Sequence, residues 1–246
     1  MTASELLDVW DRGQRQGAHE RALTMLAAVL PDRPEGLLGE LSIGRRDGLL
    51  LTLWERTFGP TLTAVTECPR CGEPLEVAFG AAAIRAEPPP EPPAERWRAE
   101  EELEADGYRV RFRAPSTADL AAIAGEADVG AARAALLARC VVAASHGGRP
   151  RSAEDLPSRV VDALAARLAA ADPQADVRLA MSCPSCAAGW EELFDVAWFL
   201  WNEICARAPR LLRDVHALAS AYGWREADIL AMGPRRRQAY LELVGG

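Results

Sequence analysis

The spacing of apolar positions changes several times along the chain, and each change marks an element. From about residue 5 to residue 30, Leu6, Val9 and Trp10 share a helical face that Leu23, Leu26 and Leu30 continue, until Pro31 stops it. Ile43-Gly44-Arg45-Arg46-Asp47 leads into a second helix over 48–58, whose Leu50, Leu51, Trp54 and Phe58 recur every three or four residues. Gly59-Pro60 breaks it. The period then drops to two. The stretch 61–65, followed by Leu75, Val77 and Phe79 alternating with Glu76 and Ala78, predicts a hairpin. Tyr108, Val110 and Phe112 alternate with Arg109, Arg111 and Arg113 and predict another strand.

Pro115-Ser116-Thr117-Ala118-Asp119 is a helix-start signature, and two or three Ala- and Leu-rich helices follow between 118 and 171, with a polar break at 145–150. Val177, Leu179 and Met181 restore the strand period. Beyond them Asp195 caps a helix carrying Trp198, Phe199, Trp201 and Ile204, which Pro209 is expected to end. A further helix carries Leu211, Leu212, Val215, Leu218 and Tyr222 up to Gly223, and two short ones over 226–232 and 234–244 close the chain. Between the first hairpin and Tyr108, Pro88 to Pro90 and Pro92-Pro93 among glutamates predict a stiff linker over 86–107, with the acidic run 100–106 as its solvated continuation.

The chemistry sits at the tips of the two strand units. Cys68-Pro69-Arg70-Cys71-Gly72 has the form of a zinc knuckle: two thiolates three residues apart reach one ion if the backbone turns tightly between them. Gly72 tolerates the left-handed conformation that aims N–H groups at the sulfurs. Cys183-Pro184-Ser185-Cys186 repeats the pattern but puts Ala187 where glycine is preferred, at a cost of about 1–2 kcal/mol. Cys68, Cys71, Cys183 and Cys186 are therefore the expected ligands of one structural zinc ion, closing a loop of 111 residues. Closing that loop costs about 4 kcal/mol. A structural zinc site contributes about 10–16 kcal/mol in model peptides, enough to offset it. A redox dithiol is the competing reading, disfavoured because a strand rather than a helix follows Cys71. Four thiolates leave no open position for a catalytic water. Cys140 and Cys205 fall within helical apolar patterns and are expected in the core.

These elements predict an α+β fold, mostly helical, with two strand-knuckle-strand hairpins joined in a zinc-ribbon-like four-cysteine site. The expected organisation is a single metal-stapled domain over 1–246. Its parts are helices at 1–60, the first hairpin at 61–80, the 86–107 linker, a strand and inserted helices at 108–172, the second knuckle at 173–195 and helices at 196–246.

Composition narrows the function. A net charge of −8 provides no general attraction to nucleic acid or anionic membrane. Arg235, Arg236 and Arg237 form the only tight basic cluster, so a zinc-ribbon regulator binding nucleic acid is a third-ranked reading. The first ten residues lack a basic stretch ahead of an apolar run, and no apolar run is long enough to span a bilayer, so a cytoplasmic protein with reduced thiols is expected. His19, His146 and His216 are scattered, and there is no phosphate loop, nucleophile elbow or His-Glu-X-X-His segment, so no enzyme activity is expected. Trp198 and Trp201 point to different faces of their helix. One of them is expected to serve an interface.

Taken in order, several segments resemble the baseplate hub assembly chaperones of contractile phages and phage-tail-like injection systems. They are Ile43-Gly44-Arg45-Arg46-Asp47, both Cys-Pro-X-Cys units, Phe194-Asp195 with Trp198-Phe199-Leu200-Trp201, and the ending. In that ending, Val215-His216-Ala217-Leu218-Ala219 precedes Tyr222-Gly223-Trp224, Ile229-Leu230 and Arg236-Arg237-Gln238-Ala239-Tyr240-Leu241. The resemblance implies a non-catalytic cytoplasmic assembly factor whose partners are hub or baseplate proteins, with no cofactor beyond the metal. The alternative is a structural baseplate component retained in the particle.

Overall fold

The computed structural model of the protein describes residues 1–28, 30–86 and 99–245. Four helices come first: α1 (Ala3–Gly13), α2 (Ala18–Ala27), α3 (Glu35–Gly39) and α4 (Ile43–Phe58). The single helix expected over 5–30 is thus two. At Gly13 the ring of Trp201 lies 2.3 Å from where a Cβ would sit, so only glycine passes there. The corner is then tied by Arg21 Nε donating to the Gly13 carbonyl at 3.0 Å, and Glu20 accepts from the Gly17 N–H at 3.1 Å to start α2 afresh. α4 begins five residues earlier than expected because Ser42 caps it, its hydroxyl accepting from the Arg45 N–H.

β1 (Thr61–Glu67) and β2 (Pro74–Gly80) pair antiparallel, from Thr61 opposite Gly80 to Glu67 opposite Pro74. The proline stretch expected as a linker falls mostly at 87–98, outside the described residues. The acidic run after it is not solvated linker: it is β3 (Glu100–Ala105), paired with β4 (Tyr108–Arg113) about Asp106 and Gly107, both at positive φ. Its glutamates face the arginines of β4, with Glu104 and Glu102 each 2.8 Å from Arg109 and Glu100 3.1 Å from Arg111. Opposite charges in cross-strand register therefore turn an apparent charge run into a strand.

Then come α5 (Thr117–Ile123) and α6 (Val129–Cys140). The polar break at 145–150 is a second hairpin turn, joining β5 (Val141–His146) to β6 (Arg149–Arg151) through two left-handed glycines. β3 to β6 form one antiparallel sheet in chain order, and α7 (Ser158–Ala171) covers it, burying Val110, Phe112, Val160 and Leu164 between them.

β7 (Arg178–Ser182) and β8 (Gly189–Leu193) make the other hairpin, and α8 (Val196–Tyr222) follows. α8 was expected to end at Pro209 but runs through it. An internal proline costs about 3 kcal/mol. Here the buried row Trp201, Ile204, Ala208, Leu211, Val215 and Leu218 keeps its three- and four-residue spacing across the proline, and that packing holds the helix together. Gly223 ends α8 in the left-handed conformation, and α9 (Glu226–Leu230) and α10 (Pro234–Gly245) close the chain. α1, α2, α4, α8 and α9 share the main core, with Met25, Leu26, Leu50, Leu51, Leu200 and Ile204 fully buried.

Candidate metal centre

Each hairpin tip is built by the same two backbone hydrogen bonds. Cys68 N–H donates to the Glu73 carbonyl and Gly72 N–H to the Cys68 carbonyl, both at 2.9 Å. In the other tip Cys183 N–H donates to Ala188 and Ala187 N–H to Cys183, again at 2.9 Å. The left-handed position falls on Gly72 at φ +72° in one and on Ala187 at φ +54° in the other, as the spacing predicts. The alanine is strained, yet its knuckle closes identically.

The two tips meet face to face. Sγ of Cys68 lies 3.6 Å from Sγ of Cys186, and Sγ of Cys71 lies 3.6 Å from Sγ of Cys183. All four sulfurs fall within 4.8 Å of one another. A tetrahedral thiolate site has metal–sulfur bonds of about 2.3 Å, hence sulfur–sulfur edges of about 3.8 Å. Two of the tetrad's edges lie close to that value and the rest fall within 4.8 Å, so the four cysteines could hold a metal ion. Cys68 and Cys183 are buried, while Cys71 is exposed and Cys186 half-buried, with Leu75, Ala188 and Trp190 packed around them. The Ala188 N–H, the Arg70 guanidinium and the neighbouring thiols favour a thiolate at Cys186 and bring it down to about 6. The Glu73 N–H favours a thiolate at Cys71 too, but hydrogen bonding with Cys186, Cys68 and Cys183 together with burial outweighs it and pushes that thiol up to about 12. Arg70 also reaches across from the first knuckle to donate to the carbonyl of Cys186 in the second.

The base of the second hairpin is held separately. Asp172, just before it, accepts from the Gly44 N–H at 2.8 Å and from the Ser42 hydroxyl at 3.2 Å, so a carboxylate from far along the chain caps the amino end of α4. A Cβ on Gly44 would meet Asp172 Oδ1 at 2.3 Å and the Ala175 nitrogen at 2.8 Å. Beside it Arg46 and Asp47 form a buried pair at 2.7 Å. Burial pushes Asp47 up to about 6 against the pull of Arg46, with Asp195 and Asp172 adding to the rise, and burial raises Asp172 as well. Asp119 differs: burial alone would raise it, but Arg113 at 2.5 Å and the Ser116 N–H and hydroxyl hold its carboxyl well below the usual range. The Ile43–Asp47 segment read as a motif is therefore the seam between the main core and the inserted sheet. Its long-range partners, Asp172, the Pro115 carbonyl and the Thr117 hydroxyl, carry no local signal in the sequence beyond the Ser116 cap.

Of the other residues singled out, Cys140 is buried and Cys205 half-buried. The His146 ring packs at a tilt against Tyr108, with centroids 4.4 Å apart, and burial and Arg46 lower the pKa of His19. Arg237 pairs with Asp214 at 3.2 Å and Arg236 lies over the Tyr240 ring. Trp201 is in the core, whereas Trp198 is 63% exposed. Among the described residues no helix is long and apolar enough to cross a membrane.

Comparison with known proteins finds no match among curated sequences and none among solved structures. The family described as T4 bacteriophage base plate protein does match, over residues 14–201. The matched span includes the Ser42–Asp47 seam, both knuckles and Asp172, and stops before the Val215–Leu241 segments. With three quarters of its length so matched, the chain belongs to the T4 bacteriophage base plate protein family.

Proposed function

We propose that the protein is a non-catalytic assembly factor for the hub and baseplate of a contractile, phage-tail-like particle, acting in the cytoplasm with one structural zinc ion held by Cys68, Cys71, Cys183 and Cys186. The observation that carries the reading is the sulfur tetrad, which joins two cysteine pairs separated by 111 residues of the chain. Four thiolates satisfy a tetrahedral d¹⁰ ion and leave it no position for water or substrate, so the ion is a rivet and not a Lewis acid. The bound site carries a formal charge of about −2 from four thiolates and one divalent ion. Arg70, whose guanidinium already bridges the knuckles, offsets part of it. Family membership supplies the setting, and the exposed Trp198 is a surface aromatic of the type enriched at interfaces.

The test is quantitative mass spectrometry of purified particles beside a pull-down of the tagged chain from the producing cell. Co-purification with hub or baseplate subunits, combined with absence from finished particles, is the expected result. A fixed copy number in the particle makes the chain a retained structural component instead. Absence from both refutes the baseplate role.

A further inference from the structure

Among the described residues β2 and β7 each have one strand neighbour, β1 and β8 respectively, and one free edge. Both strands line one slot of about 590 Å³, together with residues 83–86 and Pro173. One wall is Val77, Ala78 and Phe79, the other is residues 177–181, and neither β1 nor β8 contributes. A sheet face would present every second residue. Runs of consecutive residues are the lining that strand edges give, and a strand edge carries backbone N–H and C=O groups. The knuckles lie beyond one end of the slot. At the other, the Gln174 side chain accepts from the Ala86 N–H at 2.7 Å and donates to the Ile84 carbonyl at 3.2 Å, and Phe79 meets Phe194 edge to face at 5.3 Å. Because β2 leaves its knuckle and β7 enters its own, the two edges run antiparallel.

We propose that the slot is a docking site for an extended segment of a baseplate subunit, which enters as a central strand and joins the hairpins into one sheet in the order β1-β2-partner-β7-β8. The wall chemistry selects the occupant: only an extended polypeptide offers donors and acceptors to both sides at a strand spacing of about 4.8 Å. The segment runs antiparallel to one wall and parallel to the other. It is apolar at alternate positions, to meet the half-buried face of Val77, Phe79, Leu179 and Met181. It is free of proline where it pairs, since a strand bonded on both edges uses every N–H. A proline-rich segment such as 88–93 of this chain, with prolines at 88–90, 92 and 93, lacks the required donors. In taking the partner from the baseplate, the proposal rests on the assembly reading.

The experiment uses the full zinc-loaded chain and overlapping synthetic peptides tiling the hub and baseplate subunits of its particle. The tightest binder is then followed by amide hydrogen exchange. The expected result is protection of both β2 and β7 by about tenfold or more, with β1 and β8 unchanged. N-methylation of either backbone face of the peptide is expected to weaken binding about tenfold or more. Protection of one strand alone, or of neither, overturns the slot as a docking site. If intact subunits co-purify with the chain while no peptide protects both strands, the slot fails and the assembly reading stands. If nothing co-purifies, both fail. Protection of both strands that rises with chain concentration in the absence of peptide identifies a second copy as the occupant, and overturns the assignment to a baseplate subunit.

Discussion

Replacing Cys183 by serine tests how the hairpins are held. Cys183 is a buried member of the tetrad, and what packs beside the sulfurs is slight: Leu75, with Ala188 and Trp190 half-buried around it. A two-stranded hairpin is marginal on its own, so the tips depend on the ion. A structural zinc site contributes about 10–16 kcal/mol in model peptides, against about 4 kcal/mol for closing the long loop between the knuckles. The bases of the hairpins are anchored independently, through Phe79, Val177, Leu179 and Phe194 against the main core. Cys183→Ser should therefore open the tips without unfolding the helices. Elemental analysis after dialysis against a chelator is expected to find about one zinc per wild-type chain and none in the variant. Hydrogen exchange is expected to show residues 64–77 and 180–191 at nearly unprotected rates in the variant, while α4 and α8 stay slow. Cys140→Ser, outside the tetrad, is the control and should retain the metal. Unchanged zinc content together with unchanged protection of the tips in Cys183→Ser would refute the four-sulfur site.

Ala187→Gly should relieve the left-handed alanine, slowing zinc release to a chelator and raising the stability of the second knuckle by about 1 kcal/mol. Gly44→Ala forces a Cβ against Asp172 and the Ala175 backbone and should cost about 1–3 kcal/mol, read from the denaturant midpoint. The pH dependence follows from Asp47, raised from 3.8 to about 6 by burial: between about pH 4 and pH 6 the folded chain keeps a proton that the unfolded chain has lost, so this contribution is present at low pH and is lost as pH rises through about 6. It amounts to about 3 kcal/mol at most and is isolated by comparing wild type with Asp47→Asn, because zinc loss at low pH affects both alike. If the difference in unfolding free energy between the two does not vary over that window, the buried pair does not titrate. Asp119, held low, acts oppositely, its contribution being lost as pH falls below the usual carboxylate range.

The cysteine site was legible because its signals are local and repeated: the same four-residue unit occurs twice, each time between strand patterns. Even the unfavourable Ala187 could be named in advance, since a knuckle demands a left-handed residue there. The misreadings came from signals that depend on partners. Glu100, Glu102 and Glu104 look solvated until Arg109 and Arg111 are placed across a turn, although the symmetry of the two charge rows about Asp106-Gly107 was there to find. Pro209 looks like a stop until the buried row on either side of it is seen to stay in phase. Gly13 looks like an ordinary helical residue until Trp201 arrives from far along the chain. Propensity was outweighed by tertiary packing in the last two, and by cross-strand charge in the first.

The inserted sheet explains why the second hairpin needs fixing at both of its ends. The chain returns at Asp172, within the 111 residues that separate Cys71 from Cys183, and nothing local fixes where it re-enters. Asp172 sets one end against the amino terminus of α4, at a place where Gly44 allows no side chain, and Gln174 adds bonds to Ile84 and Ala86 beside it. The sulfurs set the other end. Between these two anchors β7 lines the same slot as β2, and among the described residues the two strands do not pair. If only the ion mattered, Gly44→Ala would leave the exchange rates of β7 unchanged; with two anchors, it should loosen the base of β7 while zinc stays bound. That separation of base from tip is what would allow a riveted pair of hairpins to keep an open slot for a partner strand.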